Sequence, residues 1–335
     1  RLPIMKLRAT KSPPELTLPK GGIWHLFLSH IWGSGQDQCA TIKRQLTLLL
    51  SGIRIFLDVD DLKDIGALET YVEQTTVIMI FVSKGYFKSK NCLREARCTV
   101  AKQKPITLVH DPVRGGAKLD FIVTEECPDE LRGAIFDGRS IIEWHRIKDF
   151  QLVSLKLLAE QLLLGSPVYT SVRLPLYVPG ELARQRLSFP STVALYASPN
   201  NPGAAAVAAR LREAMASLGV TETPAPATED GDSRYDPPGA THMLLYLCHE
   251  TYLGTKGEAL AEELRRAREA EFPIVMLHEN DMDNGGCEFG RFFETTPQDL
   301  INGGLYDELA ELFVSGTTHR KLSHAQLAKK LGAEA

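Results

Sequence analysis

Residues 77–96 read VIMIFV-SKGYFKSK-NCLREA: an all-apolar run, a short polar loop and the start of a helix. A continuous apolar run bounded by a polar loop predicts a strand that is buried on both faces. The segment from Asn91 onward predicts a helix whose first turn carries a carboxylate, Glu95. Ligands of open α/β sheets bind in the crevice outside the carboxyl ends of the strands, so this junction predicts a ligand site.

The sequence around this stretch alternates between strand and helix patterns. Strands are predicted at residues 24–29, 53–57, 77–82, 105–110 and 140–144, and helices at 36–50, 91–102 and 149–164. Residues 58–66, between the predicted strands at 53–57 and 77–82, are predicted to form an acidic loop. Strands that alternate with helices predict a parallel sheet covered by helices on both faces.

The second half of the chain repeats this plan. Strands are predicted at 192–197, 242–248 and 273–279, and helices at 204–218, closed by Gly219, and at 257–270, with a mobile Pro- and acid-rich loop at 221–240. Three motifs recur in the same order, as Pro105-Ile106 with Pro273-Ile274, Gly115-Gly116 with Gly285-Gly286, and Pro128 with Pro297. This order predicts two copies of one α/β domain.

The expected architecture is therefore two flavodoxin-like three-layer α/β domains, each with a parallel sheet of about five strands. The predicted divisions are an N-terminal arm (1–22), a first domain (23–165), a linker punctuated by prolines (166–190) and a second domain (191–335).

Composition limits the function classes. The 335 residues suffice for two domains of roughly 100–200 residues each. The net charge of −4 gives no basic footprint for nucleic acid, and no apolar run approaches the ~18 residues of a membrane helix. None of the six cysteines forms a CxxC pair, which predicts free thiols in a reducing compartment, the cytoplasm. Because the first residue is Arg1, we expect a piece of a longer polypeptide.

Four segments in order along residues 23–165 resemble a TIR domain: Phe27-Leu28-Ser29-His30, Phe56-Leu57-Asp58-Val59-Asp60-Asp61-Leu62, residues 83–95, and Ile142-Glu143-Trp144-His145. The first and third segments are also similar to a large protist or algal TIR-like group. The resemblance implies a flavodoxin-like domain in a signalling protein. It also implies self-association, or association with other TIR or signalling proteins, through the loop that carries Asp58, Asp60, Asp61 and Gly66. Consecutive carboxylates on one loop do not converge easily, so a solvated turn is favoured over a metal site.

Some TIR domains are scaffolds, and others cleave the nicotinamide–ribose bond of NAD⁺. The cleaving ones need a glutamate early in the helix after the third strand, where Glu95 falls. N-glycosidic cleavage passes through an oxocarbenium-like state, whose charge a carboxylate can stabilise. The resemblance thus makes Glu95 the candidate catalytic residue of an NAD⁺ nucleosidase that has NAD⁺ as substrate and no resident cofactor. The structural alternative is an acid in the first helical turn, favoured by the helix dipole by about 0.3–1 kcal/mol.

The candidate substrate-binding residues are Ser29, His30, Trp32, Asn91 and His145. Many cleaving TIR domains have a tryptophan where this chain has Asn91, and some have an arginine where it has Ile31. Trp32 is a candidate for the missing aromatic surface, and its alternative is an exposed or core-edge tryptophan. His145 stands where some family members place a histidine that completes a neighbouring subunit's site, and its alternative is a surface or capping histidine.

The second copy differs at the corresponding position. Counting back ten residues from Pro105 gives Glu95, and counting back ten from Pro273 gives Glu263. The helix around Glu263 is rich in charge and predicts a solvated face with ion pairs. We therefore expect a diverged copy with a structural or partner-binding role. For the whole chain two hypotheses remain, an NAD⁺-cleaving signalling enzyme and a non-catalytic TIR scaffold or nucleotide sensor.

Overall fold

The computed structural model describes residues 4–62, 64–112, 117–166, 168–169, 174–225 and 235–335. The chain divides into two compact units, Arg1–Glu181 and Leu182–Ala335. The strands are β1 (Lys6–Leu7), β2 (Trp24–Ser29), β3 (Ile55–Phe56), β4 (Thr75–Val82), β5 (Ile106–His110), β6 (Ile141–Glu143), β7 (Leu176–Tyr177), β8 (Val193–Ala197), β9 (Leu218–Thr221), β10 (His242–Leu247), β11 (Ile274–Glu279) and β12 (Glu311–Phe313). The α-helices are α1 (Trp32–Leu49), α2 (Asp58–Asp61), α3 (Leu68–Glu73), α4 (Lys90–Ala101), α5 (Leu119–Phe121), α6 (Asp129–Phe136), α7 (Lys148–Leu164), α8 (Ala204–Ala214), α9 (Gly254–Glu269), α10 (Phe292–Thr295), α11 (Gln298–Asn302) and α12 (Thr317–Lys330).

The first unit is built on a parallel five-stranded sheet in the order β3-β2-β4-β5-β6. Val77, Met79 and Phe81 of β4 pack into a core with α1 and α7, whereas Ile78, Ile80 and Val82 pack into the opposite core with α3, α4 and α6. Successive side chains of a strand point to opposite faces, so an all-apolar strand is one that has helices on both sides. The predicted three-layer architecture is confirmed.

The second unit has the same strand order. Its parallel sheet runs β9-β8-β10-β11-β12, with α8 and α12 packed on one face and α9, α10 and α11 on the other. When the strands are numbered in chain order within each five-stranded sheet, both sheets have the flavodoxin-like order 2-1-3-4-5. The predicted fold class is therefore confirmed for both halves of the chain.

One predicted element of the second unit is wrong. The helix predicted at 204–218 ends at Ala214, and Leu218–Thr221 forms the edge strand β9 instead. Met215 and Leu218 continue the helical spacing of apolar residues, so periodicity alone does not reveal the break. Gly219 pairs with Ala194 of β8, and a Cβ at Gly219 would lie 2.8 Å from the Ala194 Cβ. The glycine therefore serves close strand pairing and not a helix end.

The segments on either side of the predicted first domain meet each other. Lys6–Leu7 and Leu176–Tyr177 form a two-stranded antiparallel sheet, and Met5 is fully buried beside it. Lys156 of α7 donates a 2.5 Å hydrogen bond to Glu181. Residues that the sequence predicts as an arm and a linker thus contribute contacts to the first unit.

The repeated motifs occupy matching places in the two sheets. Pro105 and Pro273 directly precede β5 and β11, and Pro128 and Pro297 directly precede α6 and α11. Gly115-Gly116 and residues 226–234 of the predicted loop lie outside the described residues. All six cysteines are free thiols. Among the helices of the described residues, none combines the length and apolar character needed to cross a bilayer.

Candidate functional site

The first unit has a cavity of about 250 Å³ at the carboxyl edge of its sheet. The lining residues come from the segment between β2 and α1, the segment after β3, and the starts of α3 and α4. They are His30, Ile31, Trp32, Asp58, Leu62, Leu68, Ser89, Asn91, Cys92 and Glu95. In a sheet of order 2-1-3-4-5 the direction of winding reverses between the first and third strands, here β2 and β4. Such folds bind ligands beside this reversal, at the carboxyl ends of the strands. Five sequence-predicted residues meet here: His30, Trp32, Asp58, Asn91 and Glu95.

Glu95 reaches the cavity from α4. Ser89 is the N-cap of this helix, and its side chain accepts a hydrogen bond from the Cys92 backbone N–H. The helix then buries Cys92, Glu95, Ala96 and Thr99, which lie on one face at 3- and 4-residue spacing. Glu95 is only 6% exposed and belongs to the second turn, so the prediction of a first-turn carboxylate is wrong. The helix dipole acts within the first turn and does not account for this buried acid.

The environment of Glu95 favours the protonated acid. Burial raises the pKa of Glu95 to about 8, and the negative charge of Asp58 adds to the increase, while a hydrogen bond from Ser29 opposes it. Burial keeps this carboxyl group largely uncharged near neutral pH, and the group lines a cavity. A carboxyl group with these two properties is suited to act as a general acid or base.

Ser29 and Tyr86 hold Glu95 in place. The Ser29 hydroxyl donates to Glu95 Oε2 at 2.5 Å, and the Tyr86 hydroxyl lies 2.5 Å from Ser29 Oγ. Burial raises the pKa of Tyr86 well above its usual value, so its hydroxyl stays protonated. Because Ser29 gives its only hydroxyl proton to Glu95, Tyr86 is the donor to Ser29 Oγ. The sequence predicts Ser29 as a substrate-binding residue, but in the structure Ser29 does not line the cavity. It contacts the Glu95 carboxyl group instead.

His30 lines the cavity, and its side chain is almost wholly buried. The residue is 4% exposed, and its Nδ1 lies 3.1 Å from the Leu28 carbonyl oxygen. Its Nε2 is buried, and within the described part of the chain it has no hydrogen-bond partner. Asp58 Oδ1 lies 3.8 Å from this Nε2.

Trp32 forms the outer wall of the cavity. Its side chain is 62% exposed at the start of α1, and its indole Nε1 donates to Asp58 Oδ2 at 2.5 Å. The ring is thus held by a hydrogen bond to Asp58 while much of its surface faces solvent. An exposed, oriented aromatic ring at the mouth of a cavity is suited to stacking against a flat ligand.

The aspartates of the acidic segment after β3 have different surroundings. Asp58 faces the cavity, whereas Asp60 and Asp61 accept from Lys43 Nζ at 2.9 and 2.6 Å. Gly66 is exposed in a single 3-10 turn at Ile65–Ala67, capped by Asp64. In place of a purely solvated turn, the structure shows the short helix α2 tied to α1. No group of three or more His, Cys, Asp or Glu side chains within the described ranges is placed to hold a metal ion.

His145 does not line this cavity. Its Nε2 lies 3.4 Å from Glu143 Oε2, and its ring packs 5.8 Å from that of Phe150, between β6 and α7. Two neighbours of the site are not predicted from the sequence: Tyr86, which contacts Ser29, and Cys92, which lines the cavity. An aromatic pair, Tyr86-Phe87, inside a lysine-rich loop was the available signal, because such residues are usually buried. Burial raises the pKa of Cys92 to about 12, so its thiol stays protonated and is no nucleophile.

Glu263 of the second unit has different partners from those expected. The predicted solvated ion pair belongs to its neighbour Glu262, which pairs with Arg265. Glu263 itself is half-buried and accepts from the Tyr196 hydroxyl at 3.1 Å and from Asn200 Nδ2. Both oxygens are thus engaged by side chains at the carboxyl end of β8, a contact that helix periodicity does not predict.

Neither a family model nor a curated protein matches this chain. Among solved structures, the chain is similar to the TIR domain of the Toll-related receptor TRR-2 from the lower metazoan Hydra magnipapillata, with 12% identity, a TM-score of 0.28, and coverage of 42% of this chain and 98% of that one. It is also similar to the apo form of dinucleotide-forming acetyl-coenzyme A synthetase 1 of Ca. Korarchaeum cryptofilum, with 13% identity, a TM-score of 0.21, and coverage of 95% and 67%. Both similarities are weak, and the functional assignment therefore rests on the site itself.

Proposed function

We propose that the first unit is a TIR-like signalling domain that binds the nicotinamide end of NAD⁺ and cleaves the nicotinamide–ribose bond. The observation that carries this proposal is Glu95, a buried acid with a raised pKa that lines a cavity beside the exposed ring of Trp32. Small-molecule sites usually measure about 300–1,000 Å³. The cavity of about 250 Å³ lies below this range, so the proposal places only the nicotinamide end of the dinucleotide in it.

The chemistry requires few groups. The bond between ribose C1′ and the pyridinium nitrogen breaks with its electron pair leaving on nicotinamide, which departs neutral and needs no general acid. Positive charge then develops on the ribose, where an ionised Glu95 would stabilise it. A bound pyridinium cation favours ionised Glu95 over the neutral acid, so substrate binding itself lowers the pKa of this group. Trp32 would stack on the nicotinamide ring.

Self-association is part of the same proposal. Val59, next to Asp58, is a large apolar residue that is 43% exposed, and Gly66 lies exposed beyond it. These residues, together with Asp60 and Asp61, form a surface that a second copy, or another TIR or signalling protein, would contact. The absence of a CxxC pair in the sequence favours a reducing compartment, and the location we propose is the cytoplasm. The second unit would be a diverged TIR-like copy with a structural or partner-binding role.

The test is nicotinamide release from NAD⁺ by the purified chain over a wide range of protein concentrations, with Glu95→Gln alongside. Release by the wild type that is lost in E95Q, and that rises more than linearly with protein concentration, supports cleavage and self-association together. Release that is unchanged in E95Q would contradict the assignment of the site.

One observation favours a second candidate function, a sensor that binds the nicotinamide end without cleaving it. At neutral pH a pKa of about 8 leaves most of Glu95 protonated in the free protein. A neutral carboxyl group can donate a hydrogen bond to a ligand but stabilises an oxocarbenium ion poorly. Calorimetric binding of nicotinamide mononucleotide with no release of nicotinamide would favour the sensor. The absence of both binding and release would favour the non-catalytic scaffold.

A further inference from the structure

We propose that His30 is the general base of the hydrolytic step, and that its Nε2 takes the proton of the water that attacks ribose C1′. This role rests on the proposed cleavage of NAD⁺ and adds the fate of the ribosyl group. His30 and Glu95 line the same cavity, and His30 Nε2 is a buried polar atom without a hydrogen-bond partner among the described residues. A buried nitrogen without a partner beside a ligand cavity is costly unless a ligand or water completes its hydrogen bonding.

The backbone decides which nitrogen of His30 carries the proton. Nδ1 lies 3.1 Å from the Leu28 carbonyl oxygen, which can only accept a hydrogen bond. Nδ1 is therefore the donor, and in the neutral ring Nε2 carries the free lone pair. The Cys92 thiol donates to the His30 carbonyl oxygen at 3.3 Å and fixes the backbone of the same residue. These two contacts hold His30 beside the cavity with its lone pair on Nε2, 3.8 Å from Oδ1 of Asp58, which also lines the cavity.

The proton balance of the step is complete. The water oxygen forms a bond to C1′ as the bond from C1′ to nicotinamide breaks, and the electron pair of the broken bond neutralises the pyridinium. One water proton moves to His30 Nε2, which leaves ADP-ribose with a new hydroxyl and His30 as an imidazolium. Asp58 Oδ1, 3.8 Å from Nε2, stabilises this transient cation, and the proton is then released to solvent. Glu95 and His30 therefore have separate tasks, one for the ribosyl charge and one for the water proton.

A nucleophile without a proton separates these two tasks. A neutral pyridine base such as 3-acetylpyridine attacks C1′ through its ring nitrogen and replaces nicotinamide, and this exchange needs no base. His30→Asn keeps an amide N–H at the place of Nδ1, for the Leu28 carbonyl, and removes Nε2. Hydrolysis and exchange are measured for the wild type, H30N and E95Q, and thermal melting verifies the folding of each variant. If H30N does not fold, His30→Gln replaces it.

We expect H30N to lose hydrolysis by about 10²- to 10⁴-fold, the usual contribution of a general base, and to keep exchange within about threefold of the wild type. E95Q should lose both reactions. Equal loss of hydrolysis and exchange in H30N would make His30 a structural residue and overturn the inference, as would full hydrolysis in H30N. A wild type that performs neither reaction would refute the proposed function itself, and the role of His30 with it. The variants alone test only the role of His30.

Discussion

Glu95 and Glu263 occupy corresponding positions in the two units but differ in burial and in hydrogen-bond partners. Each lies ten residues before the proline that precedes the fourth strand, in a sheet of the same order. Glu95 is buried, receives one hydrogen bond from Ser29 and faces a cavity. Glu263 is half-buried, and Tyr196 and Asn200 satisfy both of its oxygens. A glutamate at this position becomes a candidate functional acid only where its surroundings leave it desolvated and open to a ligand.

The largest expected difference between the two glutamates is in the rate of NAD⁺ cleavage. Loss of one preorganised group that stabilises transition-state charge typically costs about 10²- to 10³-fold. We expect E95Q to lower nicotinamide release by that factor and Glu263→Gln to leave it within about twofold. Initial rates measured by chromatography provide the check. A comparable loss in E263Q would break the comparison, because the second unit would then share the chemistry.

The second difference is in how stability depends on pH. Because folding raises the pKa of Glu95 from 4.5 to about 8, the folded chain retains this proton while the unfolded chain loses it. The stabilising effect is complete below about pH 4.5 and is lost as the pH rises through about 8, by at most about 4–5 kcal/mol. The wild type should therefore lose stability relative to E95Q across this interval.

Urea unfolding of the wild type, E95Q and E263Q at several pH values measures this effect. Any pH dependence that E95Q and E263Q share belongs to the rest of the chain. If the free energy of unfolding varied with pH in the same way for the wild type and E95Q between pH 4.5 and 8, Glu95 would not be protonated in the folded protein. The contrast between a desolvated Glu95 and Glu263 would then disappear.

The third difference concerns the exposed aromatic residues of the two units. Base stacking on an aromatic side chain contributes about 1–3 kcal/mol, so Trp32→Ala should raise the KM for NAD⁺ by about 5- to 100-fold. Phe293 of the second unit is 53% exposed and is a matched control. Phe293→Ala should leave KM unchanged. If W32A also left KM unchanged, Trp32 would be a surface residue and the nicotinamide would bind elsewhere.

The smallest effect is expected at two matching serines, Ser29 at the end of β2 and Ser198 directly after β8. The Ser29 hydrogen bond lowers the pKa of Glu95, so Ser29→Ala should raise that pKa further. Since the proposed cleavage uses the ionised carboxylate, kcat/KM should fall several-fold at pH 7 and recover at higher pH. Ser198, buried after β8, provides the control. A pH–rate profile for S29A that coincides with those of S198A and the wild type would argue that Ser29 does not tune Glu95.

The fold itself could be predicted from the sequence because its causes are local. The run from Val77 to Val82 is apolar at every position since β4 is covered on both faces, and the recurring prolines mark equivalent strands. The end of α8 could not be predicted, because Leu218 satisfies a helical pattern and a strand pattern equally well. Pairing of Gly219 with Ala194, a long-range contact, decided between them.

The sequence by itself also placed Glu95 at the carboxyl edge of the sheet, through its distance from the strand before it. Only the tertiary structure decided that this acid is buried, that Asp58 turns toward it and that Glu263 is engaged by Tyr196. The relevant partners are far apart in the chain: 66 residues separate Ser29 from Glu95, and 67 separate Tyr196 from Glu263. Burial and hydrogen bonding set the charge of a carboxyl group, and both depend on which distant segments the packed sheets bring together.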